Sequence, residues 1–484
     1  MTLTTKVTNK ALRLRLLRLE DRAVPSFGWA SAVGGTEGNS VATDAAGNVY
    51  MTGSFTGSFT PAGSATPLTS AGGSDIFVTK YSQNGSFQWA TSMGGTQTDQ
   101  SWGRDQGWGI AADNNGNVFV VGSYIATATF GTINLTSPYT SPSAKYPDAF
   151  LAKLDATTGS VTWARNGLVQ FSSAYVVSGA GVAVDTAGNA FLTTSTGASH
   201  LTVSRVTSSG SLNWQYPFNT AEAVSGGIAV SGGNVYVTGD FFGNVDFDPG
   251  PGNARLKSGN NSTSGFVLKM TTTGSYVWAR AFASSNGNAN ICAPASIGVD
   301  SAGNVYTSGS FTGTVDFNPG SPTLNFSGGT GAGFVTKLNS SGNFVWAKQY
   351  AVPLGGETSI WGPIGLGGTM TVDAAGSVYL TGGFTGTADF NPNAGVNNLT
   401  SVGGSDIFVS KLDTNGAFLW AVRAGGLGDD CGFGIAVDPF GNINTTGYIS
   451  AGTTDFDPAN TYGDNRDLIT ATERTGFLWQ IEQP

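Results

Sequence analysis

The stretch SFGWAS, residues 26–31, reads as the end of a repeat whose beginning is missing. Its Trp29 stands in the setting that recurs at Trp89, Trp163, Trp214, Trp278, Trp346 and Trp420, as in GSFQWA (85–90), GSYVWA (274–279) and GNFVWA (342–347). The last repeat runs out in TGFLWQIEQP (475–484) before reaching such a segment. An array that lacks its final strand, and opens on that strand, is expected to be a ring joined at its two ends.

Outward from that segment, each unit reads as four strand candidates: GIAVD, then GNVYVTG, then a loop and DIFVTKL, then the tryptophan segment. The first strand ends at Asp44, Asp113, Asp185, Asp300, Asp373 and Asp438, with Ser231 in the fourth repeat. Strings such as DAAGN and DSAGN follow from hairpin chemistry: the carboxylate caps the turn ahead of it, and Gly47, Gly116, Gly188, Gly303, Gly376 and Gly441 supply positive φ. The second strand carries Tyr50, Phe119, Phe191, Tyr236, Tyr306 and Tyr379, with Asn444 in the seventh repeat, and these aromatics are read as core. Lys80, Lys153, Arg205, Lys269, Lys337 and Lys411 mark the third strand, with Gln480 last; they are expected to pair with the turn aspartates. Repeat three is short because TTSTGASHLTV leaves almost no loop between its second and third strands.

Composition agrees with short strands and many turns. The 484 residues include 72 glycines and only 11% charged side chains, so one closed unit over 26–484 is expected, with no long helix. The net charge of −9 hides a basic segment, residues 1–25, whose Lys6, Lys10, Arg13, Arg15, Arg18 and Arg22 outnumber Glu20 and Asp21. That leaves 16 basic and 29 acidic residues on the rest, which disfavours nucleic acid and anionic membrane as partners. The segment lacks the apolar run of a secretory signal, and no stretch reads as a transmembrane helix. Cys292 and Cys431 fall in repeats five and seven, which are not neighbours, so free thiols are expected.

The pattern GIAVDxxGNVYVTGxFxG followed by GGSDIFVxKLDxxGxFxWA resembles the bacterial seven-bladed β-propeller (SBBP) repeat over nearly the whole chain. The resemblance implies an all-β fold of seven four-stranded antiparallel blades, with the first strand lining the axis. Residues LEDRAVPS (19–26) are similar to a leader on large exported bacterial repeat proteins, which implies an extracellular or cell-surface location. A ring complete in one chain is expected to be a monomer.

In such a meander the turns after strands one and three share one face, and the loops after strands two and four share the other. The second face carries DFDPG, DFNPG, DFNPN and DFDPA, with the oxygen pairs Asp246 and Asp248, Asp316 and Asn318, Asp389 and Asn391, Asp455 and Asp457. Oxygen side chains at alternate positions suit Ca²⁺, although no full calcium loop or bidentate glutamate follows; the alternative is an Asx-turn stiffened by proline, with the phenylalanine packed inside. Glu37, Asp99, Asp105, Glu222, Glu357, Asp429 and Asp430 are expected on the same face.

Enzyme signatures are scarce. One histidine, His200, excludes a multi-histidine zinc site, and no nucleophile elbow, phosphate loop or CxxC occurs. The leading expectation is a non-enzymatic exported scaffold whose acidic, loop-rich face binds a protein, a glycan or a cation. The alternative is a carbohydrate-active hydrolase or lyase using carboxylates near the axial opening, although the adjacent Asp429 and Asp430 should point apart. A quinone-cofactor dehydrogenase fits less well, since the tryptophans lie in outer strands and vicinal cysteines are absent.

Overall fold

The computed structural model describes residues 25–34, 37–98, 104–138, 146–168, 177–196, 200–218, 223–285, 287, 290–329, 331–350, 369–457 and 468–483. The basic segment up to residue 24 lies outside them, as do Asp99, Glu222 and Glu357. Every regular element among the described residues is a β-strand.

Repeat one shows the unit. Glu37–Thr43, Val49–Phe59, Leu68–Tyr81 and Phe87–Met93 pair in that order, each antiparallel to the next. The same meander recurs in the other repeats, and the first strands of consecutive repeats pack beside one another, the arrangement of a β-propeller. Cys431–Val437, Ile443–Ile449 and Thr475–Glu482 form the last meander. Ser26–Gly34 lies along its third strand, with Ser26 opposite Glu482, Trp29 opposite Gln480 and Ala32 opposite Phe477.

Each hairpin between strands one and two is built as its residues demand. Asp44 Oδ1 accepts the backbone N–H groups of Ala46 and Asn48, while Oδ2 accepts Asn48 Nδ2 and the Tyr50 hydroxyl, each at 2.8 Å. Burial alone would raise this carboxyl, but the hydrogen bonds from Asn48, Tyr50 and Ala46 outweigh it and hold its pKa below the ordinary value. Asp300 is bound the same way by Ala302, Asn304 and Tyr306.

Because those carboxylates are already occupied, the strand-three cations bond elsewhere: among the described residues none of the expected aspartate–lysine pairs closes to ion-pair distance, although Asp300 and Asp373 still attract Lys337 and Lys411. Lys80 Nζ lies 5.3 Å from the centre of the Tyr50 ring and donates to the carbonyl of Ala156, in the turn between strands three and four of the next repeat. Trp89 Nε1 donates to the same carbonyl at 3.1 Å. Ser208, Ser340 and Thr414 likewise each accept one lysine and one tryptophan from the preceding repeat. Trp29 makes this bond across the junction of the chain's beginning with repeat one, to the carbonyl of Gln83 at 3.1 Å. Its indole lies against Gly85, where an added Cβ would come within 2.7 Å of Trp29 Cδ2.

In the last meander the strand beside Thr475–Glu482 is Ser26–Gly34, so the two are not joined by a hairpin turn. Lys411 donates instead to the side chain of Gln483, which in turn donates to the Tyr379 hydroxyl and the Gly441 carbonyl. Asn444 and Gln480, where other repeats have an aromatic and a cation, bond to each other at 3.1 Å. The core lies between successive sheets. One such cluster joins Val33 and Leu478 to Val41, Met51 and Phe77 of repeat one.

Candidate functional site

The DFDP-type motifs sit on small hairpins between strands two and three. Asn244–Asp246 pairs with Arg255–Lys257, Thr314–Asp316 with Asn325–Ser327, and Gly452–Asp455 with Leu468–Ala471; in repeat six Asp389 faces Asn398 inside longer strands. The phenylalanine of each motif turns inward. Phe247, Phe317 and Phe390 are wholly buried and stack on the strand-three rings Phe266, Phe334 and Phe408 at 4.7, 4.7 and 4.8 Å. Repeats one and two place the partly buried Phe59 and the buried Phe130 against Phe77 and Phe150 with no acidic motif, so a ring packed on strand three is what the hairpins share.

The oxygens cap the turns. Asp246 Oδ1 accepts the N–H groups of Asp248 and Ala254, and Asp248 Oδ1 that of Gly250. Asp316 Oδ1 binds Asn318 and Leu324, and Asp389 Oδ1 binds Asn391 and Asn397, at 2.8 to 3.0 Å. Asn318 and Asn391 cap Gly320 and Asn393 in turn, and Asp455 caps Asp457. Asp246 also meets Arg255 at 3.8 Å. Among the described residues, Oδ2 of Asp316 and of Asp389 takes no protein hydrogen bond, whereas Oδ2 of Asp246 is the oxygen that faces Arg255. The motifs stay separate: no group of three or more His, Cys, Asp or Glu side chains converges among the described residues.

The carboxylates between repeats are structural ties. Asp430, 1% exposed, accepts the N–H groups of Gly426 and Ser450 at 2.8 and 2.9 Å, and Asp105 accepts those of Gly95 and Ile125 at 2.8 Å. Burial raises the Asp430 carboxyl despite those bonds. Asp429 turns the other way, to the N–H of Ser405, so the adjacent pair points apart as expected. Glu37 pairs with Arg474 at 3.5 Å, and that guanidinium lies 3.5 Å from the centre of the Tyr448 ring.

Sequence reasoning missed the acids at the start of strand three. Asp75, Asp148 and Asp406 are buried; Asp406 pairs with Arg423 at 3.0 Å, and Asp148 accepts the N–H of Ala149. Burial pushes Asp148 up to about 6, against the hydrogen bonds from Ala149, Tyr124 and Asn166. Their signal was an acid directly before the apolar run in SDIF and PDAF. Cys292 and Cys431 are buried free thiols, and no helix among the described residues is long and apolar enough to cross a membrane.

No family model matches the chain, and no curated protein matches it. Similar solved structures include the quinohemoprotein alcohol dehydrogenase ADHIIG from Pseudomonas putida HK5, at 12% identity over 94% of this chain and 76% of that one, TM-score 0.42. BamB from Moraxella catarrhalis is similar at 12% identity over 91% and 95%, TM-score 0.36, and the WD40 β-propeller domain of Doa1 at 8% over 96% and 98%, TM-score 0.41. At this distance the likenesses carry no argument about activity.

Proposed function

We propose that the chain is a seven-bladed propeller closed by its own N-terminal strand, and that it serves as an exported, non-enzymatic binding scaffold. The antiparallel pairing of Ser26–Gly34 with Thr475–Glu482 carries the closure. The seven tryptophan segments and the four-strand meander of each repeat support a count of seven blades. The SBBP-like repeat and the leader-like LEDRAVPS support membership of that family and a cell-surface or extracellular setting.

Binding is assigned to the face bearing the hairpins. Its backbone is braced by buried phenylalanines and capped turns, so it presents varied loops on a stiff base, the general requirement for recognition. A protein, glycan or calcium ion are the partners it suits. Calcium would be held by Asp246 with Asp248, Asp316 with Asn318, Asp389 with Asn391 and Asp455 with Asp457, together with nearby backbone carbonyls.

The hydrolase reading is weaker because Asp429, Asp430 and Asp105 already spend their oxygens on backbone amides. A panel of soluble glycans, scored for retention and for released product, separates the two. Retention without turnover supports the scaffold, and product that disappears on Asp430→Asn but not on Asp246→Asn would restore the enzyme. Melting with and without millimolar calcium tests the cation arm, and an unchanged midpoint removes it.

A further inference from the structure

A recess of about 400 Å³ opens between repeats four and five, lined by Phe242, Asn261, Ser262, Thr263 and Ile291. Three features set it apart. Phe242 is 39% exposed, unlike the sealed rings of the core, and Asn261 is held at φ 52°, a left-handed conformation that non-glycine residues adopt at a cost. The Ser262 hydroxyl is buried and has no hydrogen-bond partner among the described residues.

Asp240 stands beside the recess, half-buried and outside its lining residues. It precedes Phe242 by two residues on one strand, so both side chains share a face, opposite Gly265 and Thr263 in the ladder. Thr263 in turn bridges to Ile291. At the equivalent position the other repeats carry Ser54, Ser123, Ser195, Ser310, Gly383 and Tyr448, never an acid. Among the described residues the Asp240 carboxylate meets only its own backbone N–H; burial pushes its pKa up to about 7, with no neighbouring charge contributing. The titratable group beside it is Cys292, whose Sγ lies over Gly265 and whose thiol burial holds protonated.

We propose that this recess receives the side chain of an arginine presented by a protein partner, with the guanidinium on Asp240 and its plane against Phe242. A half-buried carboxylate with no counter-charge beside it is stabilised by a proton or by a cation. The volume is ample for one arginine side chain. A planar, weakly hydrated guanidinium stacks on an aromatic face and bonds a carboxylate at two points, which a lysine does less well. The acidic body favours approach of a cation.

This deepens the scaffold reading by naming one partner chemistry, and it can fail without it, since calcium and glycan binding are scored separately. The probe is N-acetylarginine methylamide, titrated into the full chain by NMR or calorimetry, with the citrulline analogue as neutral control and the lysine analogue as second cation. Binding to wild type at pH 8, at least tenfold weaker with citrulline and weaker again at pH 6, is the expected result. Asp240→Ser, which restores a residue that four other repeats carry, should abolish it with the melting midpoint kept or raised; Phe242→Ala should weaken it several-fold. No binding at millimolar probe, equal binding of citrulline, or binding unchanged in Asp240→Ser would overturn the proposal.

Discussion

Gly85 and Gly116 offer a matched test of the tryptophan contact that joins each repeat to the next. Both lie at nearly the same positive φ, +77° and +80°, so alanine at either must adopt a left-handed conformation costing about 1–2 kcal/mol. Only Gly85 faces a neighbour: its added Cβ would approach Trp29 Cδ2 to 2.7 Å, whereas at Gly116 nothing lies within 4 Å. Displacing a packed ring adds about 1–3 kcal/mol. Gly116→Ala should therefore lower unfolding stability by about 1–2 kcal/mol, and Gly85→Ala by about 2–5 kcal/mol. Urea titration followed by tryptophan fluorescence measures both. In a Trp29→Ala background the excess at Gly85 should vanish, because the ring that was displaced is gone. Equal losses at the two glycines, or an excess that survives Trp29→Ala, would refute the contact.

Other expectations follow from the same geometry. A chain beginning at Gly34 loses the strand along Thr475–Glu482 and the Trp29 bond to repeat one, so it should melt lower or aggregate; an unchanged melting curve would contradict closure. Asp148 has a folded-state pKa of about 6, above the carboxyl's ordinary 3.8, so its contribution to stability is full below pH 4 and is lost as pH rises through 6. Asp148→Asn should accordingly gain on wild type between pH 4 and pH 7, by up to roughly 3 kcal/mol, and a gap that shrinks with rising pH would reverse the sign of the argument. Trp89→Phe, which keeps a ring but loses the N–H donated to Ala156, should cost about 1 kcal/mol in the same urea titration, and no loss would show that bond to be idle.

The repeated β-meander was legible because its determinants are local and repeated. SFGWAS marked the displaced strand, and DAAGN-type strings fixed the hairpins through Asp44 and its equivalents. The fastening between repeats was not legible. Its acceptors are backbone carbonyls at Ala156, Ser208, Ser340 and Thr414, and a carbonyl leaves no side-chain signature. The lysines looked like partners for the aspartates because both stand at one end of the sheet, but Asn48 and Tyr50 had already filled the carboxylate. Seven's exceptions were visible as letters without meaning: Asn444 and Gln480 depart together because they bond each other. The acidic hairpins were placed on the expected kind of loop, with their phenylalanines inside, and their oxygens serve as caps in the structure. Asp240 carried a readable signal, an acid where its counterparts are serine, glycine or tyrosine, but only the recess around it gives that letter a use.

Closure is tested most directly by Ser26→Cys with Glu482→Cys, which stand opposite each other across the joining strands. Facing positions in an antiparallel pair fall within the roughly 4.4–6.8 Å Cα separation that a disulfide needs, and Cys292 and Cys431 are buried out of competition. The account predicts a bond within one molecule that forms under mild oxidation and raises the unfolding midpoint. Free thiols after oxidation, or bonds formed only between molecules, would contradict it.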